Sequence, residues 1–253
     1  MPAATPRCRR TIGLLAAGLA TGALLTGCGG GQTRTAPAAA THPATAAPAA
    51  DTAGQDLTAA LLPAREFGEG ATTMPVPLDR LGAMAPMGAG PLAGIDVQPP
   101  ACLSAVQAVL PQLTAVDDAA AEVARSAGTV AVEALAVPTS AVDAVGTLQQ
   151  LTTACSAVDV TAQSYGSAHL TVAAVPVAAG AGLPGRTAVV AITLTATGTD
   201  GRSWSGTALA GVVEDRDRVL ALAQADPQGG QMDSASFTDL LSRAYRTQAD
   251  ALD

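Results

Sequence analysis

Thr187-Ala188-Val189-Val190-Ala191-Ile192-Thr193-Leu194-Thr195-Ala196-Thr197 is the stretch that decides the fold. Val190, Ile192 and Leu194 alternate with Thr193, Thr195 and Thr197, a period of two that buries one face of a strand and wets the other. Thr199-Asp200-Gly201-Arg202 follows with the residue types of a hairpin turn, and Ser203–Val213 reads as the returning strand. Glu214-Asp215-Arg216-Asp217 supplies the next tight turn and Val219–Ala225 the strand after it. Upstream, His169–Val177 reads as a fourth strand. Strands joined by short polar turns imply an antiparallel sheet.

Further upstream, residues 119–126 and 129–137 alternate Ala and Val around Gly128, the pattern of a hairpin. The first of these also holds Ala, Glu and Arg, which favour helix. Ser140 is read as the cap of a helix running to about Thr153, with Asp143 at the third position as in a capping box. Val142, Val145, Leu148 and Leu151 form its apolar face. Pro99-Pro100 opens another helix through about Leu110, with Val106, Val109, Leu110 and Leu113 as its buried stripe. Asp233 or Ser234 caps a final helix. Phe237, Leu240, Leu241, Ala244, Tyr245 and Leu252 share one stripe there, opposite Asp239, Arg243, Arg246 and Asp250. Leu57–Leu62 is apolar enough to dock, and Pro63 can start a short turn of helix through Phe67. Residues 68–98 are punctuated by Gly, Met and Pro and read as mostly irregular. Long loops of this kind inside a compact domain are uncommon unless they are functional or mobile. The expectation is one α+β domain over 56–253: an antiparallel sheet of about five to six strands, with helices packed on one face and one disulfide.

Composition narrows the function. The chain has 253 residues, a net charge of −8, 13 basic residues that are all Arg, and no Lys. Walker A, Schiff-base and Ser-x-x-Lys chemistries therefore drop out. An acidic chain without basic runs is a poor nucleic-acid binder, because phosphate contacts supply most of that affinity. Two His and four Cys leave little for a metal site.

The N-terminus carries Arg7, Arg9 and Arg10, then an uncharged run from Thr11 to Leu25, then Leu25-Thr26-Gly27-Cys28. A basic region, an apolar run and small residues before a cut site describe a secretory signal. The run is about fifteen residues, short of the ~20 that span a bilayer. The Leu-Thr-Gly-Cys box resembles the bacterial lipobox, which implies cleavage before Cys28 and acylation of its thiol. Arg9-Arg10 also resembles a twin-arginine signal, so the export route stays open. The expected organisation is a lipoprotein signal peptide over 1–27, an acylated Cys28 with an Ala/Thr/Pro/Gly tether over 28–55, and the folded domain over 56–253. Loss of residues 1–27 takes three Arg with it and moves the net charge from −8 to −11. The tether has too few large apolar side chains to offset the entropy of ordering, and as a flexible coil it spans about 30 Å.

Cys102 and Cys155 are then the cysteines of the domain. In an oxidising compartment they are expected to pair, as a structural bond or as a redox-active one. Redox pairs usually sit as Cys-x-x-Cys, which favours the structural reading.

Few residues suggest chemistry. His169 is the one His of the domain, on a strand face with Thr171 and Ala173, where a solvated imidazole is the ordinary outcome. Asp117-Asp118 and Glu214…Asp217 are carboxylate pairs, the second interleaved with Arg216 and Arg218 as a solvated charge cluster would be. Gly88-Ala89-Gly90-Pro91-Leu92-Ala93 formally fits a dinucleotide loop but follows Pro and Met rather than a strand, so no cofactor is expected. Met74, Met84 and Met87 supply flexible thioethers that suit either plain packing or the lining of a lipid groove. Trp204, the sole Trp, is either a packing anchor or a pocket edge.

Pro99-Pro100-Ala101-Cys102 at a helix start, a helix ending at Cys155, Phe237…Leu240-Leu241…Ala244-Tyr245…Gln248-Ala249, and Leu61-Leu62-Pro63-Ala64-Arg65-Glu66-Phe67 together resemble a group of actinobacterial lipoproteins. These carry a domain of unknown function and are distantly similar to the extracellular sensor domain of the membrane kinase PknH. The resemblance implies an antiparallel sheet with helices, two disulfides and a ligand groove. This chain has Cys for one of those disulfides. It shows no kinase segment, so signalling would need a partner.

Three functions follow as expectations. The first is a non-catalytic, sensor-like domain on an envelope lipoprotein at the outer face of the cytoplasmic membrane, binding a lipid, glycan or protein. Trp204, His169, Met84 and Met87 are its candidate ligand-facing residues. The second is a structural or assembly factor of the envelope. The third is a hydrolase of envelope polymers.

Overall fold

The structure is a computed structural model and describes residues 56–77, 95–109, 116–162 and 166–252. Its centre is a sheet of nine strands: β1 (Thr72–Pro75), β2 (Ile95–Gln98), β3 (Val116–Arg125), β4 (Val130–Pro138), β5 (Val158–Ala162), β6 (Gly166–Val175), β7 (Thr187–Thr197), β8 (Ser203–Asp215) and β9 (Arg218–Ala225). Their order is β1-β3-β4-β9-β8-β7-β6-β5-β2, and every neighbouring pair is antiparallel. The meander β5 to β9 joins the β3–β4 hairpin through β9 and β4. β1 and β2, the first two strands in the chain, lie at opposite edges.

The β7–β8 hairpin forms as its sequence dictates. Thr187 pairs with Val213 and Thr197 with Ser203. Gly201 takes φ 77° in the turn, where a side chain would be strained, and Asp200 Oδ1 accepts from the Arg202 amide. β6 begins three residues earlier than expected and ends at Val175. Pro176 has no amide to continue the ladder.

Nine strands replace the expected five to six. The additional ones are β1, β2 and β5, of four, four and five residues. Each is too short to show a period of its own, and β1 ends in a proline. β1 and β2 lie within 68–98, which therefore is not mostly irregular where it is described.

Among the described residues three α-helices accompany the sheet: α1 (Pro100–Val109), α2 (Ala144–Ala154) and α3 (Ser234–Leu252). None of the described helices is long and apolar enough to cross a membrane. The helices cover both faces of the sheet rather than one. Gly211 sits beneath Leu241 and Phe237 of α3. Leu170 and Val172, which belong to the opposite face by register, pack with Leu151 and Ala154 of α2, with Cys102 of α1 and with Cys155, which follows α2. A nine-stranded sheet is wide enough to need two separate covers.

The larger core lies under α3. Phe237, Leu240, Leu241 and Ala244 are buried against Leu135, Leu209, Val213, Leu220 and Leu222. Each such aliphatic or aromatic side chain contributes roughly 1.5–3 kcal/mol on burial. Two short 3-10 turns, Leu57–Ala60 and Ala64–Phe67, form an N-terminal strap over the same face and bury Leu57, Ala60, Leu61, Leu62 and Phe67. Arg243 Nε pairs with Glu66 at 3.0 Å, tying α3 to the strap.

One helix cap differs from expectation and one agrees with it. Asp143 rather than Ser140 caps α2, its carboxylate accepting from Gly146 N at 2.9 Å. Asp233 accepts from Ser236 N at the start of α3, which holds its carboxyl below the usual range through the Ser236 hydroxyl and amide. Val106 of α1 is 39% exposed, so it is not part of a buried stripe.

Candidate functional site

A cleft of about 410 Å³ opens between α2 and the 176–186 connection. It is lined by Val175, Ala188 and Val190 of the sheet and by Val177, Leu183 and Pro184 of the connection. Gln149 and Thr152 of α2 supply polar side chains. The Thr152 hydroxyl donates to the Gln149 carbonyl at 2.7 Å, which fixes its direction and leaves its lone pairs as acceptors. No acidic, basic, His or Cys side chain lines this cleft. Its lining presents polar and apolar surface in about equal measure, so it offers both van der Waals contact and hydrogen bonds.

An ion cluster fixes the neighbouring end of α2. Arg186, the last residue before β7, binds Glu214 and also reaches Asp143 Oδ1 at 2.8 Å. Glu214 Oε1 accepts from the Val145 amide at 2.7 Å. Glu214, Asp143 and Arg186 therefore join β8, the cap of α2 and the end of the 176–186 connection. Glu214, foremost, keeps the guanidinium firmly protonated. The Glu214…Asp217 turn is thus a solvated cluster only in part: Arg216 and Asp217 are exposed, but the Glu214 side chain is 9% exposed and Arg218 is buried.

The expected ligand-facing residues do not gather at this cleft. His169 is exposed on the same face as α3, directly opposite Asp159, and its Nδ1 lies 2.8 Å from Asp159 Oδ1. Trp204 lies on the other face, paired with Ala196 at the far end of β7. Eight residues separate Ala196 from Ala188, roughly 27 Å along a strand. The ring of Trp204 lies across Gly206, where a Cβ would stand 2.9 Å from Cζ2, and its Nε1 approaches Gly229. Trp204 is nevertheless 41% exposed, and Met74 is 54% exposed. Cys28, Met84 and Met87 lie outside the described residues.

Cys102 and Cys155 form a disulfide across 53 residues of sequence. It joins α1 to the residue after α2 and packs on Val158. Asp117 and Asp118 stand at the start of β3, with no third ligand for a metal. Among the described residues no group of three or more His, Cys, Asp or Glu side chains is placed to hold one.

One strongly perturbed group has no counterpart in the sequence reading. Glu133 of β4 is fully buried, directly opposite Glu122 of β3. Burial raises its carboxyl to about 8, opposed by the Leu62 amide bond and reinforced by the charge of Glu122. Burial also raises Glu122, against a hydrogen bond from Thr73. The available signal was parity: Glu133 stands between Ala131 and Leu135, on the inward side of its strand.

Fold and cleft together define a two-sided α+β domain with an open recess of mixed polar and apolar lining. The chain is distantly similar in structure to the extracellular domain of PknH from Mycobacterium tuberculosis, at 12% identity and a TM-score of 0.46, over 78% of this chain and 97% of that one. It is also similar to an uncharacterised Mycobacterium smegmatis protein, the Rv0999 ortholog, at 11% identity and a TM-score of 0.40, over 72% of this chain and 90% of that one. No protein-family model and no curated protein matches the chain.

Proposed function

We propose that the chain is an envelope lipoprotein whose folded domain is a non-catalytic, sensor-like binding module. The observation that carries this reading is the cleft beside α2, lined by aliphatic side chains, by the polar side chains of Gln149, Thr152 and Thr187, and by no titratable group. A recess of that composition selects a ligand by shape and a few hydrogen bonds, and has no acid, base or thiol with which to transform it. An amphipathic ligand, such as a glycolipid that offers both an apolar part and hydroxyl groups, suits such a lining. The anchoring part of the reading rests on Leu25-Thr26-Gly27-Cys28 and the tether that follows. Two or more acyl chains at Cys28 hold a protein on a membrane, each buried CH₂ contributing ~0.8 kcal/mol. On this reading the domain works at the outer face of the cytoplasmic membrane.

Native mass spectrometry of the protein with an envelope lipid extract tests the binding. A discrete adduct is expected. It should be lost in Gly185→Leu, since Gly185 lines the cleft and has open space where a side chain would project. A bare wild-type protein, or an adduct that Gly185→Leu leaves intact, rejects the cleft as the site. Cys28→Ala tests the anchor separately, because it should abolish acylation and membrane fractionation.

A second reading, as an assembly factor, is favoured by a different observation. Val123, Val132, Ala134, Ala221, Ala223 and Val212 share the sheet face opposite α3, and all are half-buried. A broad apolar surface of this kind suits a protein partner.

A further inference from the structure

We propose that Glu122 and Glu133 form a proton-operated latch that seats the Leu57–Phe67 strap on the sheet and releases it when the pair loses its proton. The geometry is specific. Glu133 and Glu122 are direct cross-strand partners, which places their Cβ atoms about 5 Å apart. Glu133 Oε2 accepts from the Leu62 amide at 3.1 Å, a bond between the strap and the sheet across 71 residues. The remaining oxygens, Glu133 Oε1 and Glu122 Oε1, are both buried without a hydrogen-bond partner. Two orphan oxygens on facing carboxyl groups are satisfied by one proton, which one donates and the other accepts. With that proton in place the pair carries one negative charge and the strap stays bonded. Without it, two like charges stand opposite each other in a dry site, which neither strand can relieve except by letting water in. Lifting the strap is the shortest way to do so, because Leu62 is the residue in contact.

The surrounding charges do not offset this. Within the strap, Glu66 is engaged by Arg65 and by Arg243 of α3, and Asp56 caps its own 3-10 turn. Arg218 of β9 stands opposite Asp215, at the other end of its strand from Gln224. Asp239, Arg246 and Asp250 of α3 are exposed. α3 also buries Gln248, an uncharged side chain. Thr73 of β1 bonds Glu122. Glu122 is the one charge that acts on Glu133, and it acts to keep the proton on. The carboxyl at about 8 puts the switch just above neutrality. Release uncovers the floor made by Ala120, Ala124, Ala131 and Leu135, which are buried beneath the strap and α3.

Hydrogen exchange of the full-length protein from pH 6 to 9, corrected for intrinsic rates, tests the latch. The Leu62 amide and its strap neighbours should lose at least tenfold in protection and approach free exchange at pH 9. Val189 and Val190 of β7 should remain orders of magnitude better protected. Glu133→Gln, which keeps an acceptor for Leu62 but cannot ionise, should hold the strap at every pH. Glu122→Gln removes the like charge and should move the release midpoint to lower pH. The proposal fails if the strap exchanges only in step with β7, if wild type and Glu133→Gln lose strap protection equally, or if Glu122→Gln leaves the midpoint unmoved.

Discussion

At Gly211 side chains of α3 lie directly on the sheet backbone, and Gly211→Ala measures how tight that seam is. A Cβ at this position would stand 2.7 Å from Leu241 Cδ2, 3.2 Å from Phe237 Cε1 and 3.4 Å from Val189 Cγ2. Carbon atoms rest at about 3.5–4.0 Å, so the Leu241 methyl must retreat by roughly 1 Å. Leu241 and Phe237 are both fully buried, so the retreat displaces the helix rather than a free side chain. Overpacking of this kind costs about 1–3 kcal/mol. Loss of the glycine's unfolded-state freedom returns about 0.4–1 kcal/mol. The net expectation is a destabilisation of about 1–2 kcal/mol, read as a lower urea midpoint with an unchanged slope. Gly128→Ala is the control. Nothing lies within 4 Å of its Cβ position, and its backbone is outside the left-handed region, so it should be neutral or slightly stabilising. A Gly211→Ala midpoint equal to or above wild type would refute the packing argument.

Three further outcomes are expected. Cys102→Ser with Cys155→Ser opens a 53-residue loop and should cost about 4 kcal/mol on the chain-entropy account, measured by denaturation with and without reductant. Glu133 has its folded-state carboxyl raised above the ordinary value. Its contribution is therefore complete below about pH 4.5, declines as pH rises, and is gone above about 8. Denaturation at pH 6 and pH 9 samples about two of the pKa units by which the group is raised, so it should show a loss of at most ~3 kcal/mol in wild type and a much flatter profile in Glu133→Gln. Gly206→Ala should displace the Trp204 ring that lies across it and red-shift the fluorescence of the sole Trp, and an unchanged spectrum would place the ring elsewhere.

What the sequence made legible follows from element length. β7, β8 and β9 are long and alternate, so hydrophobic period and turn chemistry located them within two residues. α3 was legible for the same reason, its apolar stripe being six residues deep. β1, β2 and β5 were not, because strands of four or five residues exist through the partner that pairs with them. The two-sided cover was also hidden. Nothing in α1 or α2 alone says which face of the sheet receives it, and the register of β6 on β7 decides that. The disulfide was readable by elimination, with two cysteines in the domain. The cleft was not, since it is made when the 176–186 connection returns beside α2. Glu214 shows the opposite lesson. Its neighbours in sequence suggest a wet turn, yet Arg186 and the Val145 amide, distant along the chain, draw its carboxylate in.

The strap and α3 are the first and last elements of the described chain, and they share one core. Synthesis proceeds from the N-terminus, so Leu57, Leu61, Leu62 and Phe67 emerge long before the helix that finishes burying them. During that interval the inward face of β4, β8 and β9 stays uncovered, with Leu135, Leu209, Val213, Leu220 and Leu222 in water. Maturation of this domain is thus timed by its final turns of helix, and a nascent chain stalled before Ser234 would present the apolar surface that holding chaperones bind and quality-control proteases cut.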